Sequence, residues 1–343
     1  MTLKPLPGFK SFITHHCVTG SMRHIYEFYG YPVSESLLLG LGAGVGFVYW
    51  HMKGAPPFFG GRANVGRPGE VGLEKTAGKR TGVRIESFQT SSARKAEKVL
   101  LEMLDEGQPV MIQCDMGFLP YFDFGGQEYH FGGHVVVVCG VDLKARQVLI
   151  ADREVKLHLV SMDDLAKARG STYKPFPPKN KWWTFDFSAV HPPQPDEVRQ
   201  AIRKVVSGML EPPITNLGVK GIRKTAQRIL KWPDVLDEGT LRGALFNGFV
   251  FIDAMGGTGG GIFRHMFSRF LREAAGITGE IRFNESADAF QDIGDRWQTV
   301  AEMFKEAGQA EGRTSSLSAI SNALVELADL EEVAWTRLSA LIS

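Results

Sequence analysis

Two periods organise the hydrophobic positions of this chain. Val18, Met22, Ile25, Tyr26 and Tyr29 recur at i, i+4, i+7, i+8 and i+11, one face of a helix. Ala96, Val99, Leu100, Met103 and Leu104 repeat that spacing and predict a second helix over 93–106. Between the two, SESLLLGLGAGVGFVYW is apolar but interrupted by glycines, and residues 53–82 collect Gly, Pro, Lys and Arg and read as a long surface loop. Beyond the second helix the apolar runs become short and β-branched. PVMIQCD (109–115), HVVVVCGVD (134–142), QVLIAD (147–152) and VKLHLV (155–160) predict a meander with short turns, and WWTFDF (182–187) adds a strand. Ser161 and Asp164 frame a capping signal for a short helix. After the Pro-rich PFPPKNK (175–181) and HPPQPDE (191–197) the helical period returns over 196–209, 217–232, 239–249, 262–275, 286–307 and 316–341. Helices first, antiparallel strands next and helices last predict an α+β fold with a mainly helical C-terminal part.

At roughly 100–200 residues per domain, 343 residues favour two domains, 1–165 and 166–343. Lys+Arg 39 against Asp+Glu 38 leaves a charge of +1, so no basic excess argues for nucleic acid or an anionic membrane as partner. The longest apolar stretch, Leu37 to Trp50, is too short and glycine-broken to span a bilayer. MTLKPLPGFKSFITHHC lacks the apolar core of a signal peptide. The three cysteines, Cys17, Cys114 and Cys139, are an odd and sparse set that suits a reducing cytoplasm rather than a disulfide framework.

Candidate chemistry centres on Cys17. It sits at the start of the first predicted helix, where the helix dipole favours a thiolate and the first amides can donate to an oxyanion. His134 opens HVVVVCG behind the glycines of FGG, and Asp152 ends LIAD. A short antiparallel connection puts the start of one strand beside the end of the next, so His134 and Asp152 can meet. The expected catalytic set is therefore Cys17 as nucleophile, His134 as base and Asp152 as orienter. The plain readings are a buried thiol, a structural histidine and a turn-capping aspartate. Cys114 and Cys139, inside apolar strands, read as inert.

The stretch HHCVTGSMRHIYEFYGYPVSESLLLGLGAGVGFVYW resembles the N-terminal domain of the butirosin biosynthesis protein H family, with His16-Cys17, Ser34-Glu35 and Gly40 through Phe47 in its pattern. QCDMGFLPYFDFGGQEYHFGGHVVVVCGVD is similar to the same family at Asp115, Leu119-Pro120-Tyr121 and His134. GGTGGGIFRHMFSRFLREAA resembles the helical domain of unassigned function that often follows. The resemblance implies a papain-like or bacteriocin-peptidase-like fold with Cys17, His134 and Asp152 in the matching positions. It further implies acyl transfer from an acyl carrier protein, bearing a phosphopantetheine thioester, to a small amine acceptor. Neither a cofactor nor a metal is expected, and a homo-oligomer stays open.

Other residues carry two readings each. His16 is an oxyanion donor or a structural neighbour. Ser34 and Glu35 cap the following segment or line the cleft. Asp115 and Tyr121 contact an amine acceptor or hold their loop. His130 and His134 form HxxxH, but the intervening glycines break the helical spacing a metal pair needs. GLGAGVGF lacks the strand and acidic residue of a dinucleotide site. GGTGGGIF, with Arg264 and Arg269, is a phosphate cradle or a hinge. The leading function is acyltransferase. A cysteine hydrolase, amidase or peptidase, uses the same three residues with water as second nucleophile. A non-catalytic scaffold is the third reading.

Overall fold

A computed structural model describes residues 3–51, 56–65, 71–126, 128–174, 176–253, 260–309 and 314–342. In chain order its elements are α1 (Cys17–Phe28), α2 (Glu35–Leu41), β1 (Val45–Trp50), β2 (Phe58–Arg62), α3 (Leu73–Lys79), β3 (Arg84–Phe88), α4 (Ala93–Asp105), β4 (Val110–Cys114), β5 (His134–Asp142), β6 (Gln147–Ala151), β7 (His158–Ser161), α5 (Met162–Gly170) and β8 (Trp182–Asp186). Helices follow: α6 (Pro195–Leu210), α7 (Gly218–Ile229), α8 (Trp232–Val235), α9 (Glu238–Ile252), α10 (Gly260–Thr278), α11 (Phe283–Gln309) and α12 (Thr314–Leu341). A single-turn 3-10 helix, Met116–Phe118, follows β4. The mixture of helices with antiparallel sheets is α+β, as the sequence periods predict.

Contacts group the chain into two compact units that interleave. One comprises the residues up to Leu38 with Gly82–His191, the other Leu39–Thr81 with Pro192–Ser343. This is a different partition from a single cut at 165/166. The strand β8 pairs with β3 and β4 and so lies in the first unit.

The first unit is built on a six-stranded antiparallel sheet in the order β3-β8-β4-β5-β6-β7. Central β5 is buried along its first seven residues, which is why its sequence is a continuous β-branched run rather than an alternation. Val136 and Val138 turn to the side where Leu100, Leu104 and Leu165 of α4 and α5 complete a core. Val135 and Val137 alternate to the other side and are equally buried. Helix α1 packs against β5, and its Ser21 hydroxyl donates to the Val135 carbonyl at 3.2 Å. Ser92 and Ser161 cap α4 and α5 by accepting from Lys95 and Asp164 amides.

The second unit joins the β1–β2 hairpin to the helices α6–α12. The expected surface loop over 53–82 contains β2 and α3; residues 52–55 and 66–70 of that stretch lie outside the described residues. The glycines before and within β1 serve close packing. A side chain at Gly40 would overlap the Phe270 ring, and one at Gly46 would meet Ala63. The Arg264 guanidinium is fully buried. It donates to both Glu331 carboxylate oxygens at 2.8 and 2.9 Å and to the Gly46 carbonyl. The indoles of Trp297 and Trp335 donate to the same carboxylate at 2.6 and 2.8 Å. Arg264 is thereby committed to the core rather than to a phosphate, and residues 256–259 of GGTGGGIF lie outside the described residues.

Breaking a buried pair strands an uncompensated charge, at a cost of about 3–5 kcal/mol. Glu331→Ala is therefore expected to lower unfolding free energy by about that amount. Denaturant titration followed by tryptophan fluorescence measures it, and a loss under about 1 kcal/mol contradicts the assigned role.

Candidate active site

Three elements of the first unit deliver the candidate thiol site. β5 and β6 pair with Val138 opposite Ile150 and Val137 opposite Ala151. One further step puts Asp152 opposite Val136, and His134 shares a face with Val136. His134 and Asp152 are thus diagonal cross-strand neighbours, close enough for long side chains to touch. The His134 Nε2–H donates to Asp152 Oδ2 at 2.7 Å, with both side chains buried. Nδ1 is then left for the Cys17 side chain, to which the imidazole is also hydrogen-bonded.

The electrostatics follow from this contact. Burial pulls the His134 imidazole down. The charge and hydrogen bond of Asp152, with the Cys17 sulfur beside the ring, outweigh it and raise His134 to about 9. Burial alone raises the Asp152 carboxyl, but the imidazole's charge and hydrogen bond, helped by Arg153 and the Tyr121 hydroxyl, hold it below its usual range. Burial pushes the Cys114 thiol well up and Cys139 up to about 12, so both stay protonated and unreactive near neutrality.

Cys17 is the first residue of α1, and His16 is its N-cap without a capping side-chain bond. The amides of a first helical turn have no intrahelical acceptor, which suits them to a developing oxyanion. What holds this helix start is Glu35, itself buried. Its carboxylate accepts from the His15 amide at 2.9 Å, the His16 amide at 2.6 Å and the Thr19 hydroxyl at 3.3 Å. Two successive amides closing on one anion make a nest immediately before the sulfur. The His16 Nδ1 bonds Thr19 Oγ1 at 3.0 Å, turning that nitrogen into the first turn. Ser34 accepts from the Leu37 amide at 2.9 Å and caps α2.

The other candidates fall elsewhere. Asp115 is fully buried. Its Oδ1 accepts from the Gly117 and Phe131 amides, and its Oδ2 from Ser171 at 2.6 Å and His130 at 3.0 Å. A carboxylate so engaged ties the two ends of the β4–β5 connection together and has no position left for an amine. The Tyr121 hydroxyl donates to Asp152 Oδ2 at 3.1 Å, so it reaches the site through the carboxylate. His130 and His134 each face their own carboxylate, Asp115 and Asp152. Among the described residues no group of three His, Cys, Asp or Glu is placed to hold a metal ion. No helix among them is long and apolar enough to cross a membrane.

Residues 16–153 match the family described as butirosin biosynthesis protein H, N-terminal. Residues 163–338 match a domain of unknown function, DUF4872. The chain belongs to the butirosin biosynthesis protein H-like family. Its N-terminal match contains Cys17, His134 and Asp152, and an enzyme of biosynthesis is what this family indicates. No curated protein matches the chain.

The His134–Asp152 pair has a defined pH window. The raised imidazole adds stability in full below its usual 6.5 and loses it as pH climbs through about 9. The depressed carboxylate adds stability above its usual 3.8 and loses it as pH falls through its lower folded value. The His134 ring resonances are expected to titrate near 9 by NMR, and Asp152→Asn is expected to bring that midpoint down. A midpoint near 6.5 in the native protein refutes the pairing.

Proposed function

We propose that this protein is a thiol-dependent acyltransferase of papain-like type. It takes an acyl group from a carrier-protein thioester onto Cys17 and passes it to an amine. The observation that carries the reading is the arrangement at one helix start: a cysteine hydrogen-bonded to an imidazole that a buried carboxylate keeps charged. Such an imidazolium stabilises a thiolate beside it, and the helix dipole adds to this.

In the first half-reaction the Cys17 thiolate attacks the thioester carbonyl. First-turn amides of α1 receive the oxyanion, a contribution worth about 10²–10³ in rate per donor in comparable sites. The tetrahedral intermediate collapses by breaking the bond to the carrier thiol. The His134 imidazolium gives its proton to that departing sulfur, leaving a neutral imidazole and an acyl-Cys17 thioester. In the second half-reaction an amine attacks the acyl carbonyl while His134 takes an amine proton. The carbon–sulfur bond breaks, amide leaves and the thiolate–imidazolium pair is restored. Asp152 keeps the imidazole in the required tautomer through both steps. Exchange between thioesters is nearly balanced, and amide formation makes the sequence run forward.

The phosphopantetheine arm of the carrier and a small amine are the partners this chemistry calls for. A hydrolase differs at one point, the admission of water to the acyl-enzyme.

Intact-mass measurement after mixing with an acyl carrier protein thioester is expected to show one acyl adduct, absent in Cys17→Ala. His134→Ala should slow its formation by about 10²–10⁴, the range for a lost acid–base group. Added amines should discharge the adduct as amide. Release of free acid alone assigns the protein to the hydrolases, and no adduct on the native protein overturns the thiol mechanism.

A further inference from the structure

Asp152 receives its side-chain donors in an uneven way. His134 Nε2–H at 2.7 Å and Tyr121 Oη–H at 3.1 Å both donate to Oδ2. Its other oxygen, Oδ1, is buried and has no hydrogen-bond partner among the described residues. A carboxylate held by one donor can tilt about that hydrogen bond, because a single contact leaves its plane unconstrained. A second donor arriving on the same oxygen from another direction fixes both the plane and the position of that oxygen.

Tyr121 is itself held. Its ring stacks on His158 with centroids 3.9 Å apart and planes 21° apart, and it packs on the side where α4 and α5 cover the sheet. The next residue, Phe122, meets the His134 ring edge-on at 5.4 Å and 84°. Two successive residues of one connection therefore touch two successive members of the site. That connection is closed at its base by Asp115, which bonds Gly117 near its start and His130 and Phe131 near its end.

We propose that Tyr121 is a positioning residue of the thiol site, its hydroxyl locking the rotation of Asp152 and thereby the ring of His134 against Cys17. The proposal rests on the reading of Cys17, His134 and Asp152 given above. It assigns Tyr121 to the carboxylate rather than to a bound amine, and it makes the β4–β5 connection a structural extension of the site. Loss of the hydroxyl leaves Oδ2 with one side-chain donor and Oδ1 still with none, so the carboxylate turns away from its alignment with the imidazole.

Tyr121→Phe keeps the ring and its stacking and removes only the donor. The probe is iodoacetamide, with adduct formation on the full-length protein followed by intact mass at pH 7. All three thiols are buried, but Cys114 and Cys139 are fully so and held protonated, while Cys17 keeps 9% exposure, which leaves it as the responding thiol. Tyr121→Phe is expected to slow alkylation about tenfold, which is about 1.4 kcal/mol and within the range of couplings between touching groups. It is also expected to bring the His134 titration below about 9. In an Asp152→Asn background the same change should alter the rate less than about twofold, because the hydroxyl then has no carboxylate to align. Unchanged rate and titration in a folded Tyr121→Phe protein overturn the proposal. So does full additivity with Asp152→Asn. An upward titration shift with the rate retained also overturns it, since the hydroxyl would then tune charge without holding geometry. Alkylation slowed by His134→Ala but not by Tyr121→Phe removes the Tyr121 role alone. Alkylation indifferent to His134→Ala removes the underlying site reading and this role with it.

Discussion

The contact between His134 and Asp152 is the constraint to which the first unit's architecture answers. A carboxylate and an imidazole buried together cost solvation that only a close, well-aligned pair recovers. The register of β5 on β6 supplies that alignment without a loop having to fold into place. A slip of one residue would turn His134 to the opposite face and part it from Asp152. The sheet is therefore both the core and the ruler by which two chemical groups are set at 2.7 Å.

The cysteine end is held by a different device. Glu35 does not touch the sulfur, yet it gathers the amides of His15 and His16 and the hydroxyl of Thr19 around one anion. The result is a helix start at Cys17 whose direction is fixed by a carboxylate from the next helix. An anion so placed opposes negative charge nearby, so the positive imidazolium of His134 is the group that favours a thiolate there. Each of the two buried carboxylates has its own imidazole, His134 on Asp152 at 2.7 Å and His15 on Glu35 at 3.3 Å.

Much of this frame is legible in the sequence, and the part that is not has a physical reason. HVVVVCGVD, QVLIAD and the helical face of Val18, Met22 and Ile25 announce their elements because burial on those faces dictates residue type locally. The proximity of His134 to Asp152 follows from a short turn between two such strands. β3, RIESF, escapes notice because it is a short edge strand in which only Ile85 is buried. β2 and α3 hide in a region whose Gly and Lys content imitates a loop. The tasks of Glu35 and Asp115 rest on partners up to 20 and 56 residues away, and no local pattern encodes a hydrogen bond of that reach. Tyr121 is visible as a polar aromatic beside the site, but its partner is fixed by the fold of a glycine-rich connection.

The interleaving of the two units bears on how the chain is made. Synthesis delivers the β1–β2 hairpin long before α7, α9 and α10, helices against which it packs. A two-stranded hairpin alone is marginal in water. During elongation this segment therefore waits, with Phe47 and Phe59 uncovered, until β8 has completed the six-stranded sheet and the helices of the second unit have followed. The nascent chain spends that interval with an unfinished apolar ribbon near its start. Cutting the gene between the two units cannot give a folded half, because no single break separates what the contacts have joined.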